Sequence, residues 1–304
     1  MDVDADSASF YRSLPGNLGD RLRSVLQDTE DGTIMTIENR RCPMWRQDGL
    51  CQIQAELGHD ALCKTCRDFP RLRHDYGSFV ELGLELSCPE AARLIFECTS
   101  SQLIKRSAPG GECGEYEQKI MVSLLESRST VLDFIDSAAY SLPESLAILL
   151  LYGHCVQAEI DGGEKAVFDA EKYLQQARRL PLSSPDYSAL IAFFEDLEIL
   201  TPRWEKLLQS ANDTPCTDAL RPFVRYLIQR YWLQAVADYD LLCRVKFIVV
   251  ACLLISGLGG DIIQTAQLFS KEIENDPDNV DAVLDGTYTY SAFADIALLS
   301  LLLK

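Results

Sequence analysis

Five cysteines fall within residues 42–90, in the run CPMWRQDGLCQIQAELGHDALCKTCRDFPRLRHDYGSFVELGLELSCPE: Cys42, Cys51, Cys63, Cys66 and Cys88. Their spacing, C-x8-C-x11-C-x2-C-x21-C, constrains this chain more than any other feature of it. The Cys63-x2-Cys66 pair sets two sulfurs close enough to share one metal ion, as in zinc and iron–sulfur sites. Cys42, Cys51 and Cys88 can then close a shell of four sulfurs with one to spare. A lone free cysteine is usually a small core hydrophobe, and that is the expectation for Cys98, Cys113, Cys155, Cys216, Cys243 and Cys252. A thioredoxin-like redox pair at Cys63 and Cys66 would want a βαβ setting, which the flanking sequence does not resemble.

The charge around the cysteines suits thiolates. Arg40, Arg41, Arg46, Lys64, Arg67, Arg71 and Arg73 face only Asp48, Glu56, Asp60 and Asp68, a local balance of +3 in a chain of net charge -18. Positive neighbours lower a thiol pKa and favour the form that binds metal. The same patch also suits an acidic partner or a carboxylate-bearing cofactor.

The overall charge of -18 argues against nucleic-acid binding and against adsorption to anionic membranes. At 304 residues there is room for two domains or one large one. The longest apolar run, 247–255, is far short of a membrane span. The opening MDVDADSASF is acidic and carries no apolar core, so no signal peptide is read there. A cytoplasmic location is the expectation, with the cysteines as thiols or metal ligands and not disulfides.

The pattern predicts a mainly α protein in which a small, irregular cysteine-rich metal-binding module packs on an all-helical domain. Residues 1–40 read as helix, interrupted at Pro15-Gly16-Asn17, followed by a turn at Asp31-Gly32 and a short strand at 33–37. Residues 41–106 form the cysteine-rich module, where little regular structure is legible and a bound ion would supply stability. SAPGGECG at 107–114 is the linker candidate. Residues 115–304 read as helical throughout, with Ser184-Pro185 and Thr201-Pro202 as helix openings. Residues 241–254 are apolar on nearly every face, which predicts a central buried helix.

VACLLISGLGG at 250–260 is the only candidate for the strand and glycine turn of a doubly wound nucleotide-binding fold. It reads better as a helix ending at Gly257. His59-x3-Cys63-x2-Cys66 has histidine where a radical-type CxxxCxxC triad needs cysteine, and His59 reads as a solvated loop residue. His74 reads as surface and His154 as packed. Arg225, Tyr226, Arg230, Tyr231, Asp238 and Asp240 make a polar–aromatic set. On a helix, Tyr226 and Arg230 share a face, as do Arg230 and Gln234. An ordinary amphipathic surface is the plainer account of them.

DGLCQIQAELG, LCKTCRDFPR and LSCPEAARL resemble runs of the flagellin lysine-N-methylase family, relatives of small zinc- or iron-chelating proteins with a CxxCxxCC motif. FYRSLPGNLGDRL, YLIQRYWLQAVADYDLLCRVKF and AQLFSKEIEND extend the resemblance over most of the chain, residues 42–94 being the most specific part. The resemblance implies transfer of methyl groups from S-adenosylmethionine to lysine ε-amines of flagellin or another lysine-bearing protein. It further implies an iron–sulfur cluster, with zinc as the alternative, on Cys42, Cys51, Cys63, Cys66 and Cys88, and a place for Arg230 and Tyr231 beside the cofactor. Family members commonly carry a further C…CCxGW segment ahead of the part matched by residues 4–15: either the true start lies upstream of Met1 and brings the rest of the metal site with it, or this is a shortened member with fewer ligands. The nucleophile must be a neutral amine, for which Glu85, Glu90, Asp238 and Asp240 are candidate assistants. The alternative is a non-catalytic cytoplasmic zinc- or iron-binding module whose helical domain docks another protein.

Overall fold

Helical structure begins at Asp4, whose carboxylate accepts the Ser7 N–H and caps the helix Ala5–Ser13. In the computed structural model, which describes residues 1–37, 41–100, 103–106, 114–182, 184 and 186–304, the chain is mainly α, as its periodicity predicts. Arg40, Cys113, Pro185 and the linker candidate up to residue 113 lie outside the described residues. Two compact units form, Met1–Leu72 and Arg73–Lys304.

In the first unit the expected break at Pro15-Gly16-Asn17 separates Ala5–Ser13 from Gly16–Val25. Gly16 takes φ +77°, a left-handed conformation that a side chain resists. Gly19 serves a different end: a Cβ there would stand 1.9 Å from the Leu14 carbonyl oxygen, so only glycine lets the second helix start this close to the first. The strand expected at 33–37 is Gly32–Met35, the centre of an antiparallel sheet between Asp2–Val3 and Leu26–Thr29. Ile34 lies opposite Asp2 on one side and Gln27 on the other. Tyr11, Leu22, Met35, Met44 and Cys63 are buried in its core.

The second unit is built around Leu241–Leu258. This helix packs on Leu142–Ile160, Pro277–Thr289 and Arg221–Tyr231. Among the described residues it is the one helix long and apolar enough to cross a membrane, with mean hydropathy 2.3 over 18 residues, and 89% of it is buried against protein. The apolar run 247–255 is too short to span a membrane, but the helix that holds it, expected over 241–254, continues to Leu258 and reaches that length. Burial among other helices accounts for apolarity on every face. Its two cations are paired: Arg244 with Asp238, and Lys246 with Asp295 and the Thr287 carbonyl. It ends at Gly259, φ +67°, two residues beyond the expected stop. Gly257 lies inside the helix, where a Cβ would meet the Tyr187 hydroxyl at 1.7 Å. VACLLISGLGG is therefore helix and cap, not a strand with a phosphate-binding turn.

Ahead of that central helix lie Arg221–Tyr231, a 3₁₀ turn Trp232–Gln234 and the short helix Ala235–Asp238. A π-helical turn, Ser270–Glu274, follows Ile262–Phe269. Of the stretch 41–106, residues up to Leu72 belong to the first unit. The helix Pro89–Glu97 belongs to the second, where buried Ala91 and Ala92 admit close packing on Ile262–Phe269 and Arg221–Tyr231.

Candidate functional site

Four of the five clustered cysteines, Cys42, Cys51, Cys63 and Cys66, lie in the first unit and pack on its core. Cys88 stands in the second unit, as the N-cap of Pro89–Glu97. Cys63 caps the short helix Lys64–Asp68, which carries Cys66 one turn on. Two contacts fix that turn. Asp4 uses its second carboxylate oxygen to accept the Lys64 N–H at 2.7 Å, and the Thr65 hydroxyl donates to the Asp2 carbonyl at 3.3 Å. The two backbone donors on Asp4, Lys64 first and Ser7 second, hold its carboxyl down at about 2. Below the turn, Tyr11 donates to the Ala61 carbonyl at 2.8 Å. Cys51 is bridged to Trp45 in antiparallel fashion and caps Gln52–Leu57.

The four thiols share one electrostatic neighbourhood. The neighbouring Cys66 thiol lowers the Cys63 thiol to about 6. Cys63, burial and the sulfurs of Cys42 and Cys51 push Cys66 the other way. Burial raises Cys42, with Cys51 and Cys63 adding to it. Two thioethers complete the sulfur lining: Cys42 Sγ lies 3.9 Å from Met35 Sδ, and Cys66 Sγ lies 3.6 Å from Met1 Sδ. In kind and number the donors suit a soft tetrahedral ion or an iron–sulfur cluster. In position they are not closed: among the described residues no three His, Cys, Asp or Glu side chains are spaced to hold one ion as they stand. His59 is exposed on the turn before Cys63.

Arg230 and Tyr231 lie in the second unit and face Glu274, a residue that sequence reasoning passed over. Glu274 closes the π-helical turn and its side chain is fully buried. Tyr226 donates to it at 2.9 Å, Tyr231 at 3.0 Å, and Arg230 Nε stands 3.3 Å away. Arg230 also donates to the Tyr226 hydroxyl at 2.5 Å, so the expected shared face is present. Burial, reinforced by the Glu274 charge, drives both tyrosine hydroxyls far above their ordinary range. His74 stacks on Tyr76 and has a buried, unpartnered Nε2, and its pKa is lowered by burial and by the Arg230 charge. A π turn at such a network is the one local irregularity that could have marked Glu274, because these turns recur at functional sites.

The candidate carboxylates all have partners. Asp238 chelates Arg244, Asp240 caps Leu241–Leu258 and accepts from Tyr288, Glu85 accepts from Ser87, and Glu90 pairs with Arg93. His154, expected to be packed, is partly exposed and lies 2.9 Å from Asp295. Two clefts of the helical unit, about 280 and 440 Å³, lie by Glu144, Arg178 and Cys216 and by Tyr187, Leu208 and Asp213, away from Arg230 and Tyr231. Of the scattered cysteines, Cys216, Cys243 and Cys252 are buried as expected, Cys155 is half-buried and Cys98 is exposed.

Comparison with known proteins finds similarity over one limited stretch. It is 44% identical over 54 residues to the flagellar biosynthetic protein FliU of Salmonella muenchen, covering 18% of this chain and 32% of that protein. The same figures of identity and length hold for the lysine-N-methylases of Salmonella typhimurium and Salmonella choleraesuis, of which 14% is covered. Part of this chain resembles lysine-N-methylases. The match spans a third or less of the length of these relatives. No family model and no solved structure matches.

Proposed function

We propose that this chain is a protein lysine N-methyltransferase that moves methyl groups from S-adenosylmethionine to lysine ε-amines of flagellin, or of another lysine-bearing protein. The observation that carries the reading is the 44% identity over 54 residues to proteins named lysine-N-methylase and FliU. The gathering of Cys42, Cys51, Cys63 and Cys66 in one unit supports a metal or iron–sulfur group beside it. These four would hold the group, with iron–sulfur first and zinc as the alternative. Bound there, it would cross-link a unit with a small core and fix the loops that carry Cys42 and Cys51. The transferred methyl needs an uncharged amine to accept it, so the substrate lysine must lose its proton before attack. A glycine-turn donor site of the doubly wound kind is not part of this reading, since residues 250–260 are helix and cap.

The test has two arms. Anaerobically purified chain is analysed for iron, sulfide and zinc, then incubated with flagellin and isotope-labelled S-adenosylmethionine, with mass spectrometry of lysine peptides. Label on lysine, together with metal lost in Cys63→Ser and Cys66→Ser, is the expected result. Stoichiometric zinc without label on any flagellin tested would leave the second reading, a non-catalytic metal-binding interaction module. The limited share of the relatives' length that is matched favours testing it.

A further inference from the structure

The larger of the two clefts lies at the C-terminal end of the central helix Leu241–Leu258, between Tyr187–Glu195 and Pro202–Gln209. Gly257 sets it there. With no side chain at that position, the Tyr187 hydroxyl and the Asn212 carbonyl both come down on the helix backbone, where a Cβ would meet them at 1.7 and 2.5 Å. The Asn212 N–H donates to the Gly257 carbonyl at 2.9 Å and so fixes the segment that forms one side of the cleft. Tyr187, Ile191 and Leu208 give it apolar walls, and Glu195 and Asp213 give it two carboxylates. Among the described residues no cation lines it. Its volume of about 440 Å³ is that of a small-ligand site.

The charges that face the cleft are negative. Carbonyls at a helix C-terminus carry partial negative charge. Glu195 is exposed and has no ion pair or hydrogen bond among the described residues. From residue 186 to 213 six carboxylates outnumber two cations. Tyr187 is buried, yet its hydroxyl reaches only the Leu253 and Leu254 carbonyls, at 3.5 and 3.4 Å, well beyond the usual O–H···O length of about 2.7–2.8 Å. Burial first, and then the Asp213 charge, push that hydroxyl above its ordinary range. One cation does reach the rim: Lys304, which lines the neighbouring cleft, pairs its ammonium with Asp213. The site thus already holds an alkylammonium on one of its two carboxylates.

We propose that this cleft binds the lysine side chain of a partner protein, with Glu195 and Asp213 receiving the ammonium and Ile191 and Leu208 covering the methylenes, and that Lys304 is a tethered competitor for Asp213. A long side chain with an apolar stem and a charged head suits such a site, because the stem is buried while the head stays at the acidic rim. Binding displaces Lys304, so affinity is reduced by the fraction of time that Asp213 is occupied. Only the identification of this lysine as the methyl acceptor rests on the methyltransferase reading; the binding itself does not.

The experiment titrates the ¹⁵N-labelled full chain with Nα-acetyl-lysine methylamide and with its norleucine counterpart, which lacks the ammonium. Saturable shifts at the Ser188, Gln209 and Asn212 amides with the lysine compound alone are the expected result. Glu195→Gln should weaken its affinity about fivefold, whereas Lys304→Gln should strengthen it, because Asp213 is then unoccupied. Equal binding of the two compounds, shifts confined to other parts of the chain, or no saturable shift with either would overturn the site. Affinity unchanged or lowered in Lys304→Gln would overturn the competitor. With flagellin and isotope-labelled S-adenosylmethionine, a raised KM at unchanged kcat in Glu195→Gln supports the bound lysine as methyl acceptor. An unaltered KM, or no label from the unsubstituted chain, overturns that identification alone and leaves the binding. Glu195 and Lys304 are exposed, so both variants keep the fold, as circular dichroism checks.

Discussion

Arg230 and Glu274 form an ion pair inside the helical unit, with Nε 3.3 Å from Oε1 and the glutamate side chain withdrawn entirely from solvent. Two tyrosine hydroxyls complete the shell, so the buried carboxylate has three donors. Removing one partner of such a pair strands the other charge.

Glu274→Gln should therefore destabilise the helical unit by about 3–5 kcal/mol, read as a lower urea midpoint with unchanged slope. The double variant Glu274→Leu/Arg230→Leu should lose much less, because neither charge is left alone. Equal losses in the two would show that packing, not charge, dominates here.

Asp295 supplies a pH dependence. Burial works against its charged form, but His154 at 2.9 Å and Lys246 at 3.0 Å override it and hold the carboxyl at about 2, below its usual 3.8. A depressed pKa stabilises the fold above the unfolded value and loses that contribution as pH falls from about 3.8 through about 2. Asp295→Asn should flatten the acid-unfolding curve in that window. An unaltered curve would mean that other carboxylates govern acid unfolding.

Asp4 ties the first helix to the cysteine turn through Ser7 and Lys64. Asp4→Ala should cost about 1 kcal/mol as a lost cap. It should also speed hydrogen exchange at the Lys64 amide, 60 residues away in sequence. Exchange unchanged at Lys64 would place that contact outside the solution structure.

Gly19→Ala adds a methyl 1.9 Å from the Leu14 carbonyl oxygen, an overlap of backbone that no rotamer relieves. The gain in helix propensity, about 1 kcal/mol, is outweighed by overpacking of about 1–3 kcal/mol or more. A lower thermal midpoint is expected, and a higher one would mean that the helix start can shift outward.

The glycine turn at residue 16, the cap at Thr201 and the buried apolar helix near 241 were legible in the sequence, because each depends on a few neighbouring residues. So was the mainly helical class. The Tyr226–Arg230 face was legible too, since a spacing of four fixes it on any helix. What that face points at was not: Glu274 lies more than forty residues further on, and only folding brings it there.

Local order of residues thus determined where helices begin, end and bury. Tertiary structure alone decided that Cys88 belongs to a different compact unit from Cys42, Cys51, Cys63 and Cys66. Periodicity reports the face of an element, whereas the choice of partner depends on long-range packing, and spacing along the chain carries no record of that.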